Sequence, residues 1–217
     1  GPLGMMTTSD PLMLFGGADV VIDFTLPEAV VAHAQAAADT GTPWIVGTTG
    51  LDEAGETAMA MAAKVVPVVF APNMSLGVNI LFVLVEQVAR ALNDEFDIEV
   101  FEIHHNRKID APSGTALGLG QAAALGRGVD FDENAVLSRE GQTGARKRGD
   151  IGFGSLRGGD IVGEHSVIFA GSGERVEITH KATGRQIYAS GAIRAAQWAT
   201  SQAAGLYDMT DVLGLKR

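Results

Sequence analysis

"ADVVIDFTLPEAVVAHAQAAADTGTPWIVGTTG" occupies residues 18–50, and the order of its elements decides the fold. Ala18 to Thr25 is a short apolar run with β-branched residues, which reads as a buried strand. Pro27 and Glu28 open a helix through Asp39, with proline in its first turn and Gly41 just past its end. Pro43 to Gly47 is the next strand. A second helix starts in Thr48–Gly55 and runs to about Lys64, and Val65 to Ala71 is a third strand. Strands that are apolar throughout, alternating with helices, imply a parallel sheet with right-handed crossovers and both faces covered.

The pattern then changes. Ser75 to Leu92 reads as a long amphipathic helix, with Val78, Leu81, Val85, Val88 and Leu92 at helical spacing. Phe96 to Ile103 alternates as a strand, and a helix follows over 114–125. From Asp150 to Thr179 come glycine-punctuated strands of period near two, with Gly-Gly-Asp and Gly-Ser-Gly turns and mostly antiparallel pairing expected. Residues 190–205 return to a helix. The change of period near residue 75 implies two domains, the last helix packing back on the first sheet.

The bulk numbers set limits. Of 217 residues, 46% are hydrophobic and 19% charged, which is ordinary globular composition. A net charge of −10 repels nucleic acid and anionic membranes, so neither is an expected partner. Cysteine is absent, which excludes disulfides and thiolate metal sites. No apolar run reaches the roughly 20 residues of a membrane span. Gly1 to Gly4 read as the scar of a protease cleavage and are set aside. No secretory signal is visible, and a cytoplasmic protein is expected.

Three stretches carry chemistry. Gly47, Thr48 and Thr49 leave the carboxyl end of one strand, where open α/β sheets bind ligands; a capped turn explains the same residues. Ala71, Pro72, Asn73 and Met74 leave the next strand, and two neighbouring turns point to one crevice for a polar ring. The third stretch is "FEIHHNRKIDAPSGTA" (101–116). His104 and His105 can serve one cleft only where the strand ends and the backbone turns. Ser113 sits at a helix N-cap with Gly114 and Thr115 following, so free N–H groups and the helix dipole favour a carboxylate or phosphate. Arg107, Lys108 and a protonated histidine add positive charge, and histidine is the natural acid near neutral pH. Adjacent histidines lack ligand spacing, so no metal site is expected, even with His165 or His180 as a third ligand. Arg146-Lys147-Arg148 reads as solvated or mobile surface.

These residues resemble one family. "E-x-H-H-x-x-K-x-D-A-P-S-G-T-A" (102–116), "VIDFT", "VGTTG", "APNMSLGVN", "SREGQTGARKRGDIGF", "RGGDIVGEHSVIFAGSGERVEITHKA" and "DMTDVLGL" are similar to dihydrodipicolinate reductases, nicotinamide-dependent enzymes of the diaminopimelate route to lysine. The resemblance runs from about Ser9 to the C-terminus. It implies that His104 and Lys108 are proton donors and that His105, Ser113, Gly114 and Thr115 hold substrate carboxylate. It implies further that Gly47, Thr48, Thr49 and Ala71 to Met74 contact NADH or NADPH. The implied substrate is a small cyclic unsaturated dicarboxylate, and the implied assembly is a homotetramer.

One feature departs from the family pattern. The family opens with a strand, a glycine-rich G-x-x-G-R-M-G turn and a helix that cradle pyrophosphate. No such unit precedes Asp19. The expectation is therefore a truncated Rossmann-type parallel-sheet domain from 5–75 and 185–217, with weak or no cofactor binding and little turnover. A second α+β domain, 76–184, carries the substrate site and an open mixed or antiparallel sheet. The rival expectation is a non-catalytic truncated fragment or paralogue that keeps the oligomerising, dicarboxylate-binding domain without redox activity.

Overall fold

Elements follow the chain in an order the sequence pattern largely anticipates. The computed structural model describes residues 7–215, and the expected scar at residues 1–4 lies outside them. In order come α1 (Pro11–Gly16), β1 (Val21–Asp23), a 3-10 turn (Pro27–Ala29), α2 (Val30–Thr40), β2 (Trp44–Val46), α3 (Glu53–Ala62) and β3 (Pro67–Phe70). Then come α4 (Leu76–Leu92), β4 (Asp97–His104), α5 (Gly114–Arg127), α6 (Phe131–Asn134), β5 (Ala135–Val136) and β6 (Ile151–Arg157). The chain continues with β7 (Gly163–Ala170), β8 (Arg175–Ala182), α7 (Gln186–Ala199), β9 (Gly205–Tyr207) and α8 (Met209–Val212). Two compact units result: the chain up to Ser75 with that from Tyr188 onward, and Leu76–Ile187.

The first unit holds a parallel sheet of order β1-β2-β3-β9. Trp44, Ile45 and Val46 are fully buried, as a strand covered on both faces requires. Helix ends follow local chemistry. Asp10 caps α1 through Leu12 and Met13 N–H, and Gly41 closes α2 at φ 72°. Helix α3 starts at Glu53, inside the stretch expected to open it, where the Asp52 carboxylate caps it by accepting from Gly55 N–H at 2.8 Å. Two differences from the sequence reading stand out. Helix α1 is an extra element. The last helix ends at Ala199, and Gly205–Tyr207 joins the sheet beside β3, with Tyr207 edge-on to Trp198.

The second unit is a mixed sheet of order β5-β6-β4-β7-β8. Strand β6 runs parallel to β4, whereas β7 is antiparallel to both β4 and β8. The Gly-Gly-Asp segment therefore does not close a hairpin. It carries the chain from β6 to β7 across the end of β4. Even-numbered residues of β4 face α5, and Ile98, Val100, Ile151, Phe153, Val167 and Phe169 build the core there with Leu119 and Ala123. Each large apolar side chain so buried contributes about 1.5–3 kcal/mol. The run Leu76–Glu95 is long and apolar enough to cross a membrane by length and composition alone, which corrects the expectation that no such run exists. Its Val78, Leu81, Val85 and Ala89 are buried, and α4 packs along α5.

Gly191 of α7 sits where a Cβ would fall 1.8 Å from the Met74 carbonyl oxygen. The obstacle is backbone and cannot swing away. Alanine would gain about 1 kcal/mol of helix propensity, while overpacking costs about 1–3 kcal/mol and more for so close an approach. Gly191→Ala is therefore expected to lower the urea midpoint of unfolding, with the slope unchanged; a raised midpoint contradicts this packing.

Candidate active site

Strand β4 delivers two polar side chains into an otherwise apolar row. Its buried positions are Ile98, Val100, Glu102 and His104. The strand stops at His104, and the segment crossing its end holds the turn: Gly158 N–H donates to the His104 carbonyl at 2.9 Å and Asn106 N–H to that of Gly159 at 3.2 Å. Beyond the strand, Lys108 N–H donates to the His105 carbonyl at 3.1 Å. His104 consequently points into the core-facing side while His105 lies outside the strand.

Glu102, 1% exposed, gathers four N–H groups. Arg157 approaches both oxygens, at 2.9 and 3.0 Å. His104 Nδ1 lies 2.5 Å from Oε2, and Ser113 N–H donates to Oε1 at 3.3 Å. Burial pushes the Glu102 carboxyl up, but hydrogen bonds from Arg157, His104 and Ser155 outweigh it and hold the group below the usual carboxylate range. The His104 ring meets that of His165 edge to face, centroids 5.0 Å apart. His165 Nε2 lies 3.0 Å from Ser113 Oγ. A Cβ on Gly163 would come within 2.8 Å of His104 Nε2, so only glycine leaves that nitrogen room.

Helix α5 begins beside this cluster. Ser113 caps it, its Oγ accepting from Ala116 N–H at 3.1 Å. Around Gly114 a Cβ would meet nothing within 4 Å, so the backbone at the helix start is open to approach. Lys108 Nζ is held by Asp110 at 2.7 and 2.8 Å, a contact that holds the Asp110 carboxyl low. Desolvation, then the cations Arg107 and Arg185, push the His105 imidazole down. Arg185 is a positive group the sequence reading did not single out. Among the described residues no three ligands converge to hold a metal ion.

In the first unit, Gly47–Thr49 and Ala71–Met74 leave the carboxyl ends of paired strands, Val46 beside Phe70. The Phe24 ring lies over Gly47, where a Cβ would fall 2.3 Å from it. Thr49 and Pro72 are exposed and Gly50 adopts φ 75°. The Thr48 and Met74 side chains are buried instead: Thr48 Oγ1 donates to Asp23 at 3.3 Å, and Met74 is 1% exposed. Asn73 Oδ1 accepts from Ser75 N–H at 2.8 Å, turning the chain into α4.

Arg146 corrects the reading of its cluster as solvated surface. It bonds Asp97, Glu99 and the carbonyls of Ile98 and Asp150, pinning the long loop to β4 and β6. The sequence reading also passed over Glu102 and Arg157. Glu102 was visible as an acidic residue in phase with Ile98 and Val100; Arg157, 55 positions away, was not.

Burial, with smaller contributions from neighbouring His104, His180 and Lys108 and an opposing pull from Glu102, leaves His165 at a pKa of about 4 against an ordinary 6.5. The folded state thus refuses a proton that the unfolded chain accepts below 6.5. Stability from this residue falls as pH drops from about 6.5 toward 4, by at most about 3 kcal/mol. Urea unfolding across that range is expected to show the loss, and His165→Gln to flatten it.

Comparison with known proteins places the whole. Residues 1–74 match the sequence profile of the dihydrodipicolinate reductase N-terminus, and 77–213 that of its C-terminus. The 4-hydroxy-tetrahydrodipicolinate reductase of Thiobacillus denitrificans is 56% identical over 213 residues, 98% of this chain and 80% of that protein. That of Magnetococcus marinus is 51% identical over 216 residues, covering 100% and 81%. A dipicolinate-bound dihydrodipicolinate reductase from Paenisporosarcina sp. TG-14 superposes with a TM-score of 0.71 at 24% identity, over 92% of this chain and 75% of that one, and shows the shared fold. With both halves matched and identities above 50%, the chain belongs to the dihydrodipicolinate reductase family.

Proposed function

We propose that this chain catalyses the reaction for which its relatives are named, reduction of 4-hydroxy-tetrahydrodipicolinate on the diaminopimelate route to lysine, with NADH or NADPH in the cytoplasm. The observation that carries the reading is the pairing of His104, backed by Glu102, with an open helix start at Gly114 and with Arg107, Arg185 and Lys108 near His105 in an acidic protein. A small dianion fits that combination. When bound, the reduced nicotinamide supplies the hydride. Thr49 and the backbone of Gly47, Thr48 and Ala71 to Met74 would hold its ring.

The chain's own residues handle charge and protons. Gly114 and Thr115 N–H groups bind one carboxylate, with Ser113 fixing the helix start and His105 beside it. Lys108 exchanges Asp110 for substrate carboxylate and stands ready as a second proton donor. His104 gives up its Nε2 proton to the ring that has gained the hydride's two electrons. The homotetramer we propose forms through the face of the second unit's sheet that lacks helices. Phe101 and Leu156 are exposed there, with Ile103 and Ile168 on the same face by register.

Nicotinamide absorbance followed with NADH and with NADPH tests the reaction. Oxidation is expected only when the dicarboxylate is present. His104→Ala and Lys108→Ala should each lower kcat by about 100-fold or more, the scale of general acid catalysis. Unchanged turnover in both refutes the roles. Thr115→Val is expected mainly to raise KM. Phe101→Asp should lower the mass measured by light scattering; an unaltered mass argues against that face.

A further inference from the structure

We propose that Glu102 is a positioning residue for His104: held by Arg157, its carboxylate fixes the imidazole with the proton on Nδ1 and leaves Nε2 as the atom that gives and takes protons. This rests on the role given to His104 above and adds to it the device that sets which nitrogen reacts.

The chemistry of the donors requires it. An ionised carboxylate only accepts hydrogen bonds, so the imidazole nitrogen 2.5 Å from it must donate. The carboxylate cannot turn away, because Arg157 grips both oxygens and Ser113 N–H holds Oε1. Arg157 is itself fixed: it ends β6 directly opposite His104 and also donates to the Asp110 carbonyl at 2.7 Å. One guanidinium thereby anchors the carboxylate behind His104 and the loop that carries Lys108.

The groups around the ring agree. Glu102 lies beside it on β4, Arg157 on β6 and His165 on β7, while His105 and Lys108 follow in the turn. Among the described residues, only Glu102 presents a negative charge to Nδ1. On the other edge, Gly163 carries no side chain to crowd Nε2, which a Cβ there would approach to 2.8 Å. When Nε2 loses its proton, the bond that breaks is Nε2–H, and Nδ1–H stays on Glu102. The ring therefore returns to the same tautomer each cycle. A buried ion pair is weak evidence for stability, since desolvation offsets its attraction. A pair buried beside a reactive imidazole, with one oxygen turned to that imidazole, serves orientation.

Selective isotope labelling of the five histidines tests this by nitrogen shifts that distinguish the tautomers, with His104 assigned by loss of its signals in His104→Gln. In the unmodified chain the neutral His104 ring is expected to carry its proton on Nδ1. In Glu102→Gln the amide can donate to Nδ1, so the proton should move to Nε2, and kcat should fall about 100-fold or more with KM changed far less. Arg157→Lys keeps the charge but loses the two-pronged grip. It should give a mixture of tautomers and an intermediate kcat, and it supplies the test if Glu102→Gln does not fold. An Nε2–H ring in the unmodified chain, or a Glu102→Gln or Arg157→Lys protein with unaltered tautomer or unaltered kcat, overturns the proposal. Absence of NADH or NADPH oxidation by the unmodified chain would instead refute the reaction, and the tautomer would still decide the role of Glu102.

Discussion

A carboxylate that is 1% exposed has to be compensated where it lies, and much of the second unit is arranged around that demand. An uncompensated buried charge costs several kcal/mol after relaxation. Glu102 escapes that cost through partners on three separate elements: Arg157 at the end of β6, His104 on its own strand and Ser113 at the start of α5. Satisfying one acidic group therefore draws together a strand end, a neighbouring strand and a helix N-terminus. The mixed strand order follows the same geometry. With β6 parallel and β7 antiparallel to β4, both flanking strands bring their ends to His104, and the Gly158–Gly159 crossing lies over it.

How much of this could be read beforehand depended on range along the chain. The β-α-β-α-β order was legible because buried strands and helix stops are local: the apolar run at Val20–Ile22, proline at 27, glycine at 41. Helix α4 was legible from its spacing and β4 from its alternation. The pairing of β6 with β4 was not, since strand neighbours are chosen by tertiary packing and a Gly-Gly-Asp segment looks like a hairpin turn in isolation. Strand β9 was missed because three residues carry no period and take their conformation from β3. In the candidate site, the histidines, the lysine and the capped helix start stood out as residue types, and Glu102 could have been noticed by its phase. Arg157, His165 and Arg185 reach the same region only through folding.

Asp23 shows the same logic in the first unit. It is buried beneath the ends of β1 and β2, and burial pushes its carboxyl up while Thr25 and His33 pull it further down. Thr25 N–H and Oγ1, His33 Nδ1, Trp44 Nε1 and Thr48 Oγ1 all converge on it. Each unit thus places a saturated acid below a strand terminus and keeps the residues beyond that terminus in fixed backbone conformations.

The alternation of β4 carries a consequence for how this protein can change over time. Along one eight-residue strand, even positions supply the interior and the acid–imidazole pair, while odd positions point to the helix-free face. Inserting or deleting a single residue upstream of Glu102 would rotate both sets at once, putting Phe101 inside and the carboxylate outside. A point substitution on one face leaves the other in place, but length variation within the strand is closed to it, so indels accumulated by lineage divergence should fall in the 137–150 loop and spare residues 97–104.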